Sequence, residues 1–205
     1  CSRSSCGYTV HGGTHLNMPS HCDKELMTGP WGPGPNAHEA PLELLLGDAL
    51  VVHVPPTSGN VTADVLRSLA VPLGTVRLLL RTANTDRGLM SQTEFDASHV
   101  GLTRSGAEYL VNALPSVRLL GVDYVQAAAA GDVLQASQKL ASAGVFTIEG
   151  LEMGAAPPGR YMLTCLPLKL KGVEAAPVRC LLSAHGSSGS TGSCAAGGGS
   201  CSGAP

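Results

Sequence analysis

The sequence predicts one mixed α/β domain, and three observations carry that prediction. Five short apolar runs have the length and side-chain content of buried strands, two segments repeat apolar residues at helical spacing, and stretches rich in glycine and proline punctuate the rest. A mixed sheet core with a few flanking helices should therefore occupy residues 1–183.

In chain order, residues 27–41 read Met-Thr-Gly-Pro-Trp-Gly-Pro-Gly-Pro-Asn-Ala-His-Glu-Ala-Pro, where prolines remove backbone donors and a loop is expected. The run at 49–54, Ala-Leu-Val-Val-His-Val, is the first strand. Thr62 precedes Ala-Asp-Val-Leu-Arg-Ser-Leu and Pro72 closes it, which predicts a short helix with a threonine cap. A strand follows at 76–80, and then Ala107, Leu110, Val111 and Leu114 line one face of a second helix. The runs at 117–122, 145–148 and 162–166 supply the remaining strands. Residues 184–205 are almost wholly Gly, Ser, Ala and Cys, which bury too little to offset their ordering entropy, so they read as a tail outside the fold.

Composition narrows the function. A net charge of −2 without a basic run excludes a nucleic-acid partner, since nothing could neutralise a row of phosphates. Aromatic residues make up 3 % of the chain, too few for platforms that stack bases or sugars. No apolar run approaches the roughly 20 residues that cross a bilayer, so no membrane span is expected. The seven cysteines form no Cys-x-x-Cys pair and hence no structural zinc site. Cys165 and Cys180, in apolar strand-like surroundings, are expected to be buried thiols, whereas Cys1, Cys6, Cys194 and Cys201 lie in the ends. Residue 1 is Cys and not Met, so the chain reads as a fragment or processed form whose leader would have been lost.

The chemistry concentrates at His11-Gly-Gly-Thr-His15-Leu-Asn17-Met-Pro-Ser-His21, which holds three of the seven histidines. Gly12 and Gly13 argue against a helix and let an extended or looped backbone turn both His11 and His15 toward one ion. Neutral imidazole is the commonest zinc ligand and also suits manganese beside oxygen donors. The competing reading is a polar loop with incidental histidines. His38, His53, His99 and His185 stand alone and are expected to be satisfied or exposed.

This segment resembles the His-x-Gly-Thr-His-x-Asp-x-Pro-x-His signature of the cyclase / kynurenine formamidase family of metal-dependent amide hydrolases. Downstream, Leu79-Leu-Arg-Thr-Ala-Asn-Thr-Asp-Arg87, Leu120-Gly-Val-Asp-Tyr124, Ile148-Glu-Gly-Leu151 and Cys165-Leu-Pro-Leu-Lys-Leu170 are similar to the plant branch, so residues 8–182 are covered in order. The resemblance implies the family's swivelling β/β/α fold, with the residues that precede the signature missing here. It implies that His11 and His15 are ligands of one metal, that His21 carries the proton, and that Glu149 matches a ligand of a second metal. Two positions depart from the pattern. Asn17 stands where the family has a bridging Asp, and the histidine about a dozen residues before the Glu is replaced by Ser137 or Gln138. A neutral amide cannot balance two divalent ions, so one zinc or manganese ion is expected, held by His11, His15, Asn17 and Glu149. The implied reaction is metal-assisted hydrolysis of a small-molecule N-formyl or cyclic amide. The alternative is an inactive family member retained as a binding or structural subunit. The resemblance further implies a homo-oligomer, located extracellularly or in the secretory pathway.

Overall fold

A computed structural model describes residues 7–22 and 36–184. Within them lie seven strands: β1 His15–Asn17, β2 Leu46–His53, β3 Arg77–Arg81, β4 Leu119–Val122, β5 Phe146–Glu149, β6 Gly159–Pro167 and β7 Ala175–Ala184. The helices are α1 Leu42–Leu45, α2 Ala63–Ser68, α3 Ala83–Asp86, α4 Arg104–Ala113 and α5 Val133–Ser142. All five expected strand runs are strands, and both expected helices form. Thr62 caps α2 by accepting from the Val65 amide.

The strands close into a barrel in the order β1-β5-β4-β3-β2-β6-β7. β2 to β5 run parallel to one another, and every pairing that involves β1, β6 or β7 is antiparallel. Strand alternation then makes two cores. Leu16, Leu79, Leu119, Ile148, Leu163 and Ala176 fill the barrel. Leu78, Leu80 and Leu120 point the other way and pack under α2, α4 and α5 through Leu66, Leu110 and Leu140. Continuous leucine runs are needed on the parallel strands because both of their faces are buried. Asp123, fully buried after β4, accepts from the Thr82 and Thr85 amides and hydroxyls and so ties the β4 end to α3.

Two expectations need adjustment. Cys165 and Cys180 face each other across β6 and β7 and are joined as a disulfide, not held as two thiols. Their Cα atoms are 4.1 Å apart, the close spacing of antiparallel partners that do not exchange backbone hydrogen bonds, which aims both side chains to the same side. Ala184 belongs to β7, paired with Tyr161, so the fold runs one residue past the expected boundary. Residues 185–205, most of the loop expected at 27–41, and the four terminal cysteines lie outside the described residues. Near the loop's end, Ala37–Glu39 form a 3-10 turn that begins with a capping box at Asn36.

Candidate metal centre

β1 carries the site because its alternation is fixed on both sides. Leu16 enters the barrel, so His15 and Asn17 take the outer face, where pairing with β5 sets His15 opposite Glu149 and Asn17 opposite Thr147. Gly13 (φ +66°) and Gly150 (φ +73°) turn the chain at the same end of this strand pair. A Cβ on Gly150 would lie 2.8 Å from the Gly13 carbonyl oxygen, so the approach requires glycine. The Thr14 hydroxyl then donates to the Gly150 carbonyl at 2.6 Å.

His15 is 1 % exposed. Its Nδ1–H donates to the Gly13 carbonyl at 3.0 Å, which leaves Nε2 facing Glu149 Oε2 at 3.4 Å. Burial pulls the pKa of this ring down, but its hydrogen bonds with Glu149 and Gly13 and the Glu149 charge outweigh burial and hold it above the ordinary 6.5. Glu149 Oε1 also accepts the Ala127 amide at 2.9 Å, so the carboxylate is fixed at both oxygens.

His11 is arranged in the same way. Its Nδ1–H donates to Asn17 Oδ1 at 2.9 Å and its Nε2 faces Glu174 Oε1 at 3.2 Å. The Asn17 amide in turn donates to the Thr147 hydroxyl at 3.3 Å. His21 ends the 3-10 turn Pro19–His21, with its ring centroid 4.4 Å from that of His11 and its Nδ1 3.8 Å from the same Glu174 oxygen. Burial, then the neighbouring His11 charge, lowers its pKa below 6.5, so the ring is neutral at neutral pH.

The structure thus brings His11, His15, Asn17, His21 and Glu149 to one face. Asn17, His21 and Glu149 border a cavity of about 260 Å³ whose far wall is α5, through Val133, Ser137 and Leu140; His11 and His15 do not line it. Ser137 lines this cavity and Gln138 is exposed, which separates the two candidates for the substituted position. Of the lone histidines expected to be satisfied or exposed, His53 bonds the Ala156 carbonyl and His99 bridges the Asp96 and Ala128 carbonyls, whereas half-buried His38 keeps a buried Nδ1 without a hydrogen-bond partner among the described residues and His185 lies outside them.

Among the described residues, the His, Cys, Asp and Glu donor atoms that all lie within 4.8 Å of one another are those of His11, His21 and Glu174; His15, whose Nε2 faces Glu149, is not in that group. Metal-bound histidines almost always donate their second ring N–H to an oxygen, and both His11 and His15 do so, leaving Nε2 directed at a carboxylate. The neutral Asn17 and the Ser137 hydroxyl supply no charge for a second ion. Sequence reasoning missed Glu174, because a loop acid 163 residues from His11 gives no spacing signal. Only the β1–β7 pairing brings it near.

The chain belongs to the family described as putative cyclase, whose sequence profile matches residues 4–129. It is 43 % identical over 179 residues to Cyclase-like protein 2 of Oryza sativa subsp. japonica, covering 85 % of this chain and 62 % of that protein. It is 30 % identical over 175 residues to kynurenine formamidase of Salinibacter ruber, covering 85 % and 76 %. A solved structure described as a potential metal-dependent hydrolase with cyclase activity matches with TM-score 0.72 and 29 % identity, over 86 % of this chain and 80 % of that one. Isatin hydrolase A from Labrenzia aggregata, at TM-score 0.68 and 20 % identity, shares the fold over 85 % of this chain and 73 % of its own. The chain spans about 62 % of the length of the plant relatives it matches.

Proposed function

We propose that this chain is a metal-dependent hydrolase of an N-formyl or cyclic amide of an aromatic amine, similar in activity to kynurenine formamidase. The observation that carries this reading is the common setting of His11 and His15, each with Nδ1 spent on an oxygen and Nε2 turned to a carboxylate. One zinc or manganese ion would be held by His11, His15 and Glu149, with Asn17 contributing at the same face. When bound, such an ion polarises the substrate carbonyl and acidifies water.

The remaining work falls to the chain. His21 is neutral near pH 7, so Nε2 or Nδ1 can take a proton from attacking water and return it to the leaving nitrogen. Val133 and Leu140 give α5 an apolar wall that suits an aromatic ring. A cavity of about 260 Å³ favours a small molecule over a polymer. The Cys165–Cys180 pair supports a location in the secretory pathway or outside the cell, because disulfides persist in oxidising compartments. A homo-oligomer is part of the same proposal, and light scattering would test it.

A second reading, a binding or structural subunit without turnover, draws on Asn17 and Ser137 standing at the two positions where a metal site loses charge and a ligand. Turnover of N-formylkynurenine by metal-replete protein separates the readings. The hydrolase reading expects turnover that a chelator abolishes and zinc or manganese restores. It also expects His21→Gln to lower kcat by about a hundredfold or more, the usual scale of lost acid–base catalysis. Metal-replete protein that leaves formamides and lactams intact would favour the second reading.

A further inference from the structure

We propose that Glu174 is an anionic ligand of the ion held at His11, supplying the charge that Asn17 cannot. The inference rests on the reading that this chain binds a divalent ion. Three observations lead to it. The backbone around Glu174 is clamped against the histidine segment: its carbonyl accepts the Met18 amide at 2.9 Å, and the preceding Val173 carbonyl accepts the Ala37 amide at 2.8 Å. The acid is therefore presented beside β1 by the sheet and not by chance on a wandering loop.

The donor atoms converge. Among the described residues, His11, His21 and Glu174 form the group of His, Cys, Asp or Glu side chains whose ligand atoms all lie within 4.8 Å of one another. Glu174 Oε1 is 3.2 Å from His11 Nε2. Two donors bound to one tetrahedral zinc at about 2.0–2.1 Å are themselves about 3.3 Å apart, so this pair is already at ligand spacing.

Charge completes the argument. Asn17 turns its oxygen to His11 Nδ1, where it orients the ring, and an amide carries no charge in any case. With Glu149, on the His15 side, as its one carboxylate, a divalent ion keeps a net positive charge that a second carboxylate offsets. Glu174 provides one on the open side of His11, with its side chain 43 % exposed, so water and substrate retain access. His21, with Nδ1 3.8 Å from the same oxygen, is kept beside the ion in position for its proton role.

Titration calorimetry of metal-free protein with zinc tests the proposal, using the parent chain, Glu174→Gln and Glu174→Asp. Loss of a ligand should weaken zinc binding in Glu174→Gln by more than about a hundredfold, beyond the roughly 10–100-fold that losing an outer hydrogen-bond partner costs. Glu174→Asp should retain most of the affinity, and the thermal midpoints of the metal-free proteins should agree. Should Glu174→Gln fail to fold, the parent labelled at its glutamate carboxyl carbons still decides. Zinc must then shift the side-chain carboxyl resonance that disappears in Glu174→Asp. Equal zinc affinity in parent and Glu174→Gln, or an unmoved Glu174 resonance, overturns this proposal and leaves the hydrolase reading standing. A parent that binds no zinc overturns both.

Discussion

His15 and His21 lie six residues apart yet are pushed in opposite directions, His15 above the ordinary imidazole value of 6.5 and His21 below it. The cause is a partner: Glu149 sits against His15, whereas burial and His11 act on His21. Because the folded value of His15 is raised, its pairing stabilises the metal-free fold fully below pH 6.5 and fades as pH rises through the raised value. Imidazole resonances followed by NMR in metal-free protein should show His15 titrating above 6.5 and His21 below it, and the reverse order would contradict the site geometry. Asn17→Asp is the complementary test. The new carboxylate still accepts from His11, and the Thr147 hydroxyl can turn to donate to it, so packing should be kept. Zinc affinity should rise by about tenfold, the effect of roughly 1.4 kcal/mol of added attraction, while stoichiometry stays near one because Ser137 still offers no second site. At this scale the sequence was informative where spacing is local, as at His11, His15, Asn17 and His21. Glu149 was reached only through resemblance, and Glu174 by neither route, since its place depends on a strand pairing 163 residues away in sequence.

Strands of the parallel layer were legible because they are buried on both faces, and such strands leave unbroken apolar runs such as Leu78-Leu79-Leu80. β1 was not, because three residues with two polar outer side chains form no pattern; it is a strand only through its two neighbours. α5 left a signal that was not used: Val133, Ala136, Leu140 and Ala141 recur at helical spacing, and that register also selects Ser137 over Gln138 as the residue facing the cavity. The Cys165–Cys180 link was missed for a similar reason, since apolar surroundings suit a thiol or a disulfide and only the β6–β7 register decides. A link closing a separation of 15 residues stabilises by about 3 kcal/mol in the chain-entropy picture. Reduction, or Cys165→Ala, should therefore lower the thermal midpoint by about 6–12 °C in a domain of this size. A midpoint insensitive to reductant would show that the two sulfurs are not joined.

For the molecule as a whole, the barrel's interior is apolar and the chemistry lies outside it, where the antiparallel β1–β5 pair meets α5. This division explains how the chain can keep the family fold while Asn17 and Ser137 change: neither side chain enters the barrel core. The expectation of an α/β domain of this family was legible because sequence order, strand runs and the histidine motif agree over most of the chain. Barrel closure was not, because it depends on β7 returning to β1. The central claim is that this outer face is a metal centre built on His11 and His15. Elemental analysis of metal-replete protein, after removal of loosely bound ions, tests it most directly. About one zinc or manganese per parent chain and none in His15→Ala is the predicted result; a parent without metal, or a His15→Ala variant that keeps full occupancy, would contradict it.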